Sequence, residues 1–326
     1  MKVIFLNDDG GVVKIHCWGV RGSIPTPITP EQVQNKIVAA IERMTPKDLE
    51  SEDTRTKFVA SLPPWLFGTV GGNTSCVELT NKAGHQFILD CGSGLREFSV
   101  NGMKAPDHHY SVFMSHYHWD HIQGIPFWGA TFDPRVKIDL YSTFPDAERI
   151  LAEQSRCPYF PQNGCWEYVR DRFNFHLVKE LEPFYVDGVK VTCKKMKHPG
   201  NSYSFSFEED GKKVIYATDV ELTAKDYDLR NKDNYFFENA DVMILDSQYT
   251  GDEAINKTDW GHSIFCYAVD FANAWKAKSL YFFHHEPTYN DKKIYSVLRA
   301  AKWYEDYSAK YDVDIHIAIE GQEIEL

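Results

Sequence analysis

A short segment at residues 115–124, SHYHWDHIQG, constrains the fold of this chain more than any other part of its sequence. Three histidines and one aspartate fall within six consecutive positions, at His116, His118, Asp120 and His121. The residues just before them, HYSVFM, form an apolar run typical of a buried strand. In an extended His-x-His segment two imidazoles lie on the same side of the chain, about 6–7 Å apart at the backbone, and one metal ion can bridge them. The segment predicts a metal site, with a proton relay or a chance surface cluster as the alternatives.

The overall composition limits the partners and the compartment of the protein. The 326 residues carry a formal charge of −12, which weighs against a large polyanionic partner but not against a small phosphorylated ligand. The seven cysteines have no CxxC spacing, so we expect buried thiols rather than disulfides or a zinc knuckle. The N-terminus does not resemble a signal peptide, and no apolar stretch reaches the roughly 20 residues needed to span a bilayer. We therefore expect a cytoplasmic protein without membrane contact.

The order of predicted strands and helices indicates an α/β protein. The short β-type runs at 2–6 and 12–18 predict a hairpin around NDDGG. Helical periodicity appears in SIFCYAVDFANAWKAK, in DKKIYSVLRAAKWYEDY and in TPEQVQNKIVAAIERM, where Thr29 and Gln32 have capping-box spacing. With no internal repeat and no flexible linker, the sequence favours a single domain over 1–326, with a helical insertion at about 28–66.

Several motifs of this chain resemble those of one known family. SHYHWDH has the HxHxDH pattern of the metallo-β-lactamase superfamily. GGNTSCVEL, FILDCGSGLRE, KHPGNSYSF, IYATD, ILDSQY, WGHS and FFHHEP follow in the order typical of its phosphodiesterase branch. That branch includes tRNase Z, the phosphoribosyl cyclic phosphodiesterases and the cyclic-nucleotide phosphodiesterases. The resemblance implies a four-layer αβ/βα metallo-β-lactamase fold, with a dinuclear metal site at the edge between two β-sheets.

The resemblance also implies a set of metal ligands. His116, His118 and His198 match the ligands of the first ion. Asp120 and His121 match those of the second, together with either His284 or His285, of which we favour His284 because it directly follows an apolar strand. Asp219 matches the carboxylate that bridges both ions, and Asp90 resembles the aspartate that fixes a ligand histidine, although it could equally cap a turn. Zinc is the expected metal, and manganese or iron would also suit these ligands.

The same resemblance implies a phosphodiesterase mechanism. A metal-bridging hydroxide would attack phosphorus with Asp120 orienting it, while His262, held by Asp246, would protonate the leaving oxygen. Asp246 stands where tRNase Z has glutamate. The expected substrate is a small phosphodiester, first of all a 3′,5′-cyclic nucleotide.

Other readings stay open beside this one. The same fold hydrolyses lactones and thioesters, and a metal-dependent sensor without turnover is a third possibility. We expect no large nucleic acid partner, because the chain is acidic and no long Gly/Pro-rich arm is evident. A homodimer is possible, with the insertion as an interface or lid. We expect the aromatic residues near the motifs to belong to the core more than to a pocket: Phe127, Trp128, Tyr159, Phe160 and Trp166.

Overall fold

Strands dominate the computed structural model, which describes residues 13–160, 165–308 and 310–326. The strand predicted at 2–6 lies outside these residues. The described strands are β1 Lys14–Gly19, β2 Cys76–Thr80, β3 Gln86–Leu89, β4 His109–Phe113, β5 Lys137–Ser142, β6 Phe173–Leu177, β7 Phe184–Val186, β8 Val189–Met196, β9 Ser202–Glu209, β10 Lys212–Ala217, β11 Val242–Asp246, β12 Ser279–Phe283, β13 Asp314–Ile317 and β14 Glu323–Glu325.

The described helices are mostly short. They are α1 Pro30–Ile41, α2 Glu52–Ser61, α3 Pro64–Phe67, α4 Gly94–Asn101, α5 Trp119–Ile122, α6 Ala147–Gln154, α7 Cys165–Val169, α8 Gly251–Ala254, α9 Phe265–Ala274 and α10 Asp291–Ser308. Among these residues, no helix combines the length and apolarity that crossing a membrane requires.

The strands form two mixed sheets of seven. The first has the order β14-β1-β2-β3-β4-β5-β6 and the second the order β13-β12-β11-β10-β9-β8-β7. In each sheet four consecutive strands are parallel, β3 to β6 in the first and β10 to β13 in the second. Ligand sites in such sheets lie where the carboxyl ends of parallel strands meet. Each sheet therefore contributes one such edge to the candidate site.

Alternation along the strands places one face of each sheet inside the molecule. In β3, Phe87 faces the second sheet, where its ring centroid lies 6.2 Å from that of Phe207 in β9, whereas Ile88 points to the opposite face. Phe113 of β4 packs in the same interior, 5.7 Å from Phe205 between ring centroids. The two sheets are thus joined by an aromatic core.

Helices cover the outer face of each sheet. Leu95 and Phe98 of α4 pack with Ile88 against the first sheet, and Phe271 of α9 and Ile294 of α10 belong to the core of the second. The order helix, sheet, sheet, helix confirms the predicted four-layer αβ/βα fold.

The predicted insertion is helical, because α1, α2 and α3 fall between β1 and β2. Thr29 caps α1, with its hydroxyl accepting from the backbone of Gln32 and the Gln32 side chain accepting from the backbone of Thr29, as the spacing predicts. No residue of α1 is buried, however, and its apolar positions, including Ile37 and Ile41, face outward. Periodicity therefore predicted the helix but not a contact for its apolar face.

Candidate metal centre

The candidate ligands lie just beyond the carboxyl ends of several strands. The chain reaches His116 and His118 shortly after β4 and His198 two residues after β8, and His284 directly follows β12. Asp219 lies two residues beyond β10 and His284 one residue beyond β12, and both have left-handed backbone angles, with φ of 55° and 60°. Such angles are uncommon for residues other than glycine and cluster at functional sites.

Three histidines and one carboxylate form the first ligand group. The Nε2 atoms of His116 and His198 each lie 3.7 Å from Asp219 Oδ1, and His118 Nδ1 lies 3.1 Å from His198 Nε2. Ligand atoms around a tetrahedral zinc ion are separated by about 3.3 Å, given zinc–nitrogen distances of about 2.0–2.1 Å. The spacing of this group suits one ion.

Two carboxylates and two histidines form the second ligand group. Asp219 Oδ2 lies 3.1 Å from His121 Nε2 and 3.3 Å from His284 Nε2, and Asp120 Oδ2 lies 3.3 Å and 3.2 Å from the same two nitrogens. Asp219 offers Oδ1 to the first group and Oδ2 to the second. One carboxylate thus faces both groups, as the resemblance implied.

The donor atoms of these groups suit metal ions better than they suit hydrogen bonds within the protein. The Nε2 atom of His116 is buried and has no hydrogen-bond partner among the described residues. An unsatisfied buried polar atom is costly, so its position among other possible ligand atoms points to a ligand. The arrangement therefore fits divalent metal ions.

Electrostatics favours neutral histidines in the first group. Burial, and then the neighbouring His121, lower the pKa of His116 well below its ordinary value, and burial also lowers the pKa values of His118 and His198. A neutral imidazole has a lone pair available for a metal. Burial alone would raise the pKa of Asp219, but nearby His284 and His121 hold it well below its usual value. That carboxylate is therefore ionised.

Hydrogen bonds behind the ligands fix their orientation. Asp90 Oδ2 accepts from His121 Nδ1 at 2.9 Å and from the Tyr216 hydroxyl at 2.9 Å, and Asp90 Oδ1 accepts from the Ser115 backbone at 2.8 Å. His198 Nδ1 donates to the Gly261 carbonyl at 2.8 Å. A carboxylate or carbonyl on one ring nitrogen leaves the other nitrogen for the metal, so Asp90 orients a candidate ligand instead of only capping a turn.

The structure distinguishes the two adjacent histidines of FFHHEP. His284 belongs to the second ligand group. The ring of His285 points elsewhere, and its Nε2 donates to the Ala318 carbonyl at 2.9 Å. Burial, followed by the positive charge of Arg21, lowers the pKa of His285 to about 3. His285 therefore supports the fold near the site and does not join the ligand groups.

His262 and Asp246 form a pair beside the ligand groups. His262 Nδ1 lies 2.6 Å from Asp246 Oδ2, and the His262 ring stacks on that of His284 at 4.8 Å between centroids. Asp246 is wholly buried, and Oδ1 also accepts from the backbone of Gln248. Burial, the largest single influence, opposes a charge on His262, but Asp246 together with Asp219 and Asp120 outweighs it and raises the pKa of His262 to about 8. The shorter side chain of Asp246, compared with glutamate, still reaches the histidine.

Some residues near the site were not given a role from the sequence. The Ser23 backbone amide donates to Asp120 Oδ2 at 2.8 Å, with Ser23 at a φ of 57°. Gly22 lies so close to His284 that a Cβ atom on it would come within 2.5 Å of the imidazole. Both residues belong to the segment GVRGS at 19–23, whose role depends on a contact across the fold and not on a local pattern.

Aromatic residues near the site divide between core and surface. Trp128 and Trp166 are buried, as expected, whereas the expectation of a core position is wrong for Phe127 and Tyr159, which are exposed. Two further tryptophans adjoin the ligand groups: Trp119 follows His118 and is 66% exposed, and Trp260 is 59% exposed. Trp260 precedes Gly261, whose carbonyl accepts from His198. In the sequence, Trp119 is therefore next to a residue of the first ligand group, and Trp260 is next to a residue that hydrogen-bonds to that group.

Comparison with known proteins places the chain among metal-dependent hydrolases. The family model described as a beta-lactamase superfamily domain matches residues 85–285. A ribonuclease Z of Streptococcus pneumoniae is 22% identical over 294 residues, covering 77% of this chain and 93% of that protein.

Solved structures agree on the fold. The metallo-beta-lactamase fold protein YhfI from Bacillus subtilis has a TM-score of 0.63 at 17% identity, with 98% of this chain and 100% of that chain covered. A diphosphatase from the PhnP family has a TM-score of 0.61 at 18% identity, with 97% of each chain covered.

One expectation drawn from the net charge is wrong. The relative from Streptococcus pneumoniae is by name a ribonuclease and spans most of this chain, so a large nucleic acid partner is not excluded. Net charge describes the whole surface, whereas metal ions and nearby cations set the field at the site itself. An acidic chain can therefore act on a polyanion.

Proposed function

Because the chain belongs to the beta-lactamase superfamily, in its phosphodiesterase branch, we propose that it cleaves a nucleotide phosphodiester at two divalent metal ions. As a member of this branch it is a metal-dependent phosphoester hydrolase. The observation that carries the finer proposal is the His262–Asp246 pair, which lies beside two ligand groups that share Asp219.

Each ligand group holds one ion in this proposal. His116, His118 and His198 would hold the first ion, Asp120, His121 and His284 would hold the second, and Asp219 would contribute to both. When bound, the two ions supply an acidified water as the nucleophile and offset charge on the phosphoryl oxygens. Zinc is the metal we propose, because five histidines and two carboxylates match its preferred ligands.

His262 delivers the proton that the leaving oxygen needs. Its Nδ1–H donates to Asp246, so in the protonated ring Nε2–H is left to donate to the departing ribose oxygen. The neighbouring Asp246 carboxylate raises the pKa of His262 and so favours the protonated ring. Asp246 holds the ring in place and stabilises its positive charge. This pair supports phosphodiester over thioester cleavage, because a ribose alkoxide is a poor leaving group without a proton whereas a thiolate leaves without one.

The exposed tryptophans support a substrate that carries a base. An indole stacks on a nucleobase with little dependence on base identity. The ammonium of Lys257 lies 4.0 Å from the ring centroid of Tyr249 and 5.8 Å from the ring centroid of Trp260. We propose that Trp119 and Trp260 hold the base while the ligand groups hold the phosphodiester.

The first substrate to test is a 3′,5′-cyclic nucleotide. In this proposal its base stacks on Trp119 or Trp260, which neighbour His118 and Gly261 in the chain. Cleavage of an RNA 3′ extension is a second candidate, which the similarity to a ribonuclease Z favours. Both reactions use the same nucleophile and the same proton donor, so the substrate panel must separate them.

The test is turnover by the zinc-loaded protein on four kinds of substrate. Bis(p-nitrophenyl) phosphate reports phosphodiester cleavage in general, 3′,5′-cAMP and 3′,5′-cGMP report the first candidate, and a 3′-extended tRNA reports the second. A lactone and a thioester panel serves as the contrast. Turnover of phosphodiesters alone supports the proposal. Turnover of lactones or thioesters, with none of the phosphodiesters cleaved, would overturn it.

Two further expectations remain proposals. The cytoplasm is the proposed compartment, since all seven cysteines are free thiols and most are buried. A homodimer through the insertion is compatible with the exposed apolar face of α1 and can be tested by light scattering with Ile37→Ser.

A further inference from the structure

A second group of histidines and aspartates lies at the opposite end of the strands from the candidate metal centre. His85 directly precedes β3, His109 begins β4, and Asp107 lies in the loop just before β4. Because β3 and β4 are parallel, their amino ends lie together, one strand length away from the carboxyl ends. This group is therefore separate from the site already described.

One nitrogen of each histidine in this group already has a partner. His109 Nε2 lies 2.5 Å from Asp139 Oδ2, and His85 Nε2 lies 2.9 Å from the Ser111 hydroxyl and 3.1 Å from Asp187 Oδ2. Among the described residues, neither Nδ1 atom has a hydrogen-bond partner. A histidine that donates one N–H to a carboxylate keeps the lone pair of its other nitrogen for a metal, and ligand histidines commonly have this arrangement. The group thus resembles a metal site in two respects: it contains histidines, and one nitrogen of each ring is held by the protein while the other, among the described residues, is free.

The carboxylate behind His109 is itself fixed. Asp139 Oδ1 accepts from Asn174 Nδ2 at 2.7 Å and lies 2.5 Å from His176 Nε2. His109 and His176 together with Asn174 keep this carboxylate oriented. Because Asp139 is held in place, its contact with His109 Nε2 also fixes the orientation of the His109 ring.

The three side chains come close enough to share one ion. One ligand atom each from His85, Asp107 and His109 lies within 4.8 Å of the others, and the two imidazole centroids are 5.0 Å apart. His85 and His109 are partly exposed and Asp107 is exposed, so an ion can enter from solvent. We propose that His85, Asp107 and His109 form a further site for a first-row transition-metal dication, with zinc as the probe. Two imidazoles and one carboxylate are a common set of three protein ligands, which water completes.

An ion at this site would join the start of β3 to the loop before β4. Asp187, which holds His85, lies in the turn between β7 and β8 of the second sheet. The ion would bind residues of the first sheet, and the contact of His85 with Asp187 would link it to the second sheet. We expect its role to be structural, so its loss should leave turnover unchanged.

The experiment counts zinc per chain by inductively coupled plasma mass spectrometry after equilibration in a zinc buffer. We expect H85Q/D107N to bind one equivalent less than the wild type and to keep its activity on bis(p-nitrophenyl) phosphate. The matched control is D314N/H316Q, because His316 Nε2 lies 2.8 Å from Asp314 Oδ2 in a pair that belongs to neither site. This control should bind as much zinc as the wild type.

Equal zinc content in H85Q/D107N and the wild type would overturn the proposal. If the double variant does not fold, Asp107→Asn alone changes one exposed side chain and gives the same comparison. Asp139→Asn provides a second measurement, because it removes no ligand yet should weaken zinc binding about 10- to 100-fold. Since the comparison counts metal and not product, it stands whether or not the proposed phosphodiesterase activity is found.

Discussion

Replacing His262 with glutamine should separate proton donation from metal binding. The side chain lies 2.6 Å from Asp246 and beside His284, but it belongs to neither of the two ligand groups that share Asp219. Glutamine preserves most of its volume and can still hydrogen-bond to Asp246, yet it cannot protonate a leaving group. We therefore expect the His262→Gln protein to keep its bound metal and to lose only the donation of a proton to the leaving group.

The size of the loss should depend on the leaving group. A positioned general acid contributes about 10²- to 10⁴-fold, which corresponds to about 2.7–5.5 kcal/mol of barrier. Hydrolysis of 3′,5′-cAMP expels a ribose alkoxide and should lose that factor in kcat. p-Nitrophenolate leaves without a proton, so activity on bis(p-nitrophenyl) phosphate should fall by less than about tenfold.

The assay compares kcat for both substrates in His262→Gln and wild type, with the metal content of each preparation measured. Asp246→Asn should give the same selectivity with a smaller loss, because the ring stays but its charge is less stabilised. Equal losses on both substrates at unchanged metal content would refute the assignment of His262 as a proton donor. Unchanged turnover of both would refute any role in the reaction.

Three other substitutions test the surroundings of the ligands. Asp90→Ala should weaken metal binding about 10- to 100-fold, measured by competition with a chelator, because a ligand histidine loses the carboxylate that orients it; unchanged affinity would contradict this role. Trp119→Ala should raise KM for a nucleotide roughly 5- to 100-fold while leaving bis(p-nitrophenyl) phosphate turnover unchanged. Trp303→Ala, at a tryptophan 62% exposed on α10, is its control, and equal KM values in both would exclude stacking. Gly22→Ala should reduce bound metal and activity, because its Cβ would collide with the His284 imidazole. Gly68→Ala is the control, because open space surrounds its Cβ, and it should change neither. A fully active Gly22→Ala protein would show that His284 can move aside without loss of function.

The proximity of the candidate ligands could be predicted in part from the sequence, because much of the information is local. His116, His118, Asp120 and His121 lie within six positions after an apolar strand, so their convergence needs only a strand and a turn. Asp219 and His198 were identified through resemblance to a family, since no local pattern links them to the first segment. The fold brings them together because β8 and β10 end at the same edge of the second sheet.

The choice between His284 and His285 shows where sequence alone was insufficient. Both follow the same strand, and adjacent side chains of an extended chain point in opposite directions. Which one faces the ligand groups depends on the register of β12 and on the left-handed backbone at His284. Neither feature could be deduced from the residues alone.

Exposure was the property that the sequence predicted least well. Helical spacing identified α1 and its cap at Thr29, but whether another element covers Ile37 depends on the tertiary packing. The same applies to Phe127, which was expected in the core and lies at the surface. Hydrophobicity indicates that a side chain gains from burial, not that the fold provides a place for it.

The most direct test of this account is an anomalous difference map from crystals of the zinc-loaded protein, recorded at the zinc absorption edge. We predict two peaks about 3.5–4 Å apart, one on each side of the Asp219 carboxylate. His116, His118 and His198 should surround one peak, and Asp120, His121 and His284 the other. A single peak, or two peaks that Asp219 does not join, would contradict the dinuclear centre on which the proposed phosphodiesterase rests.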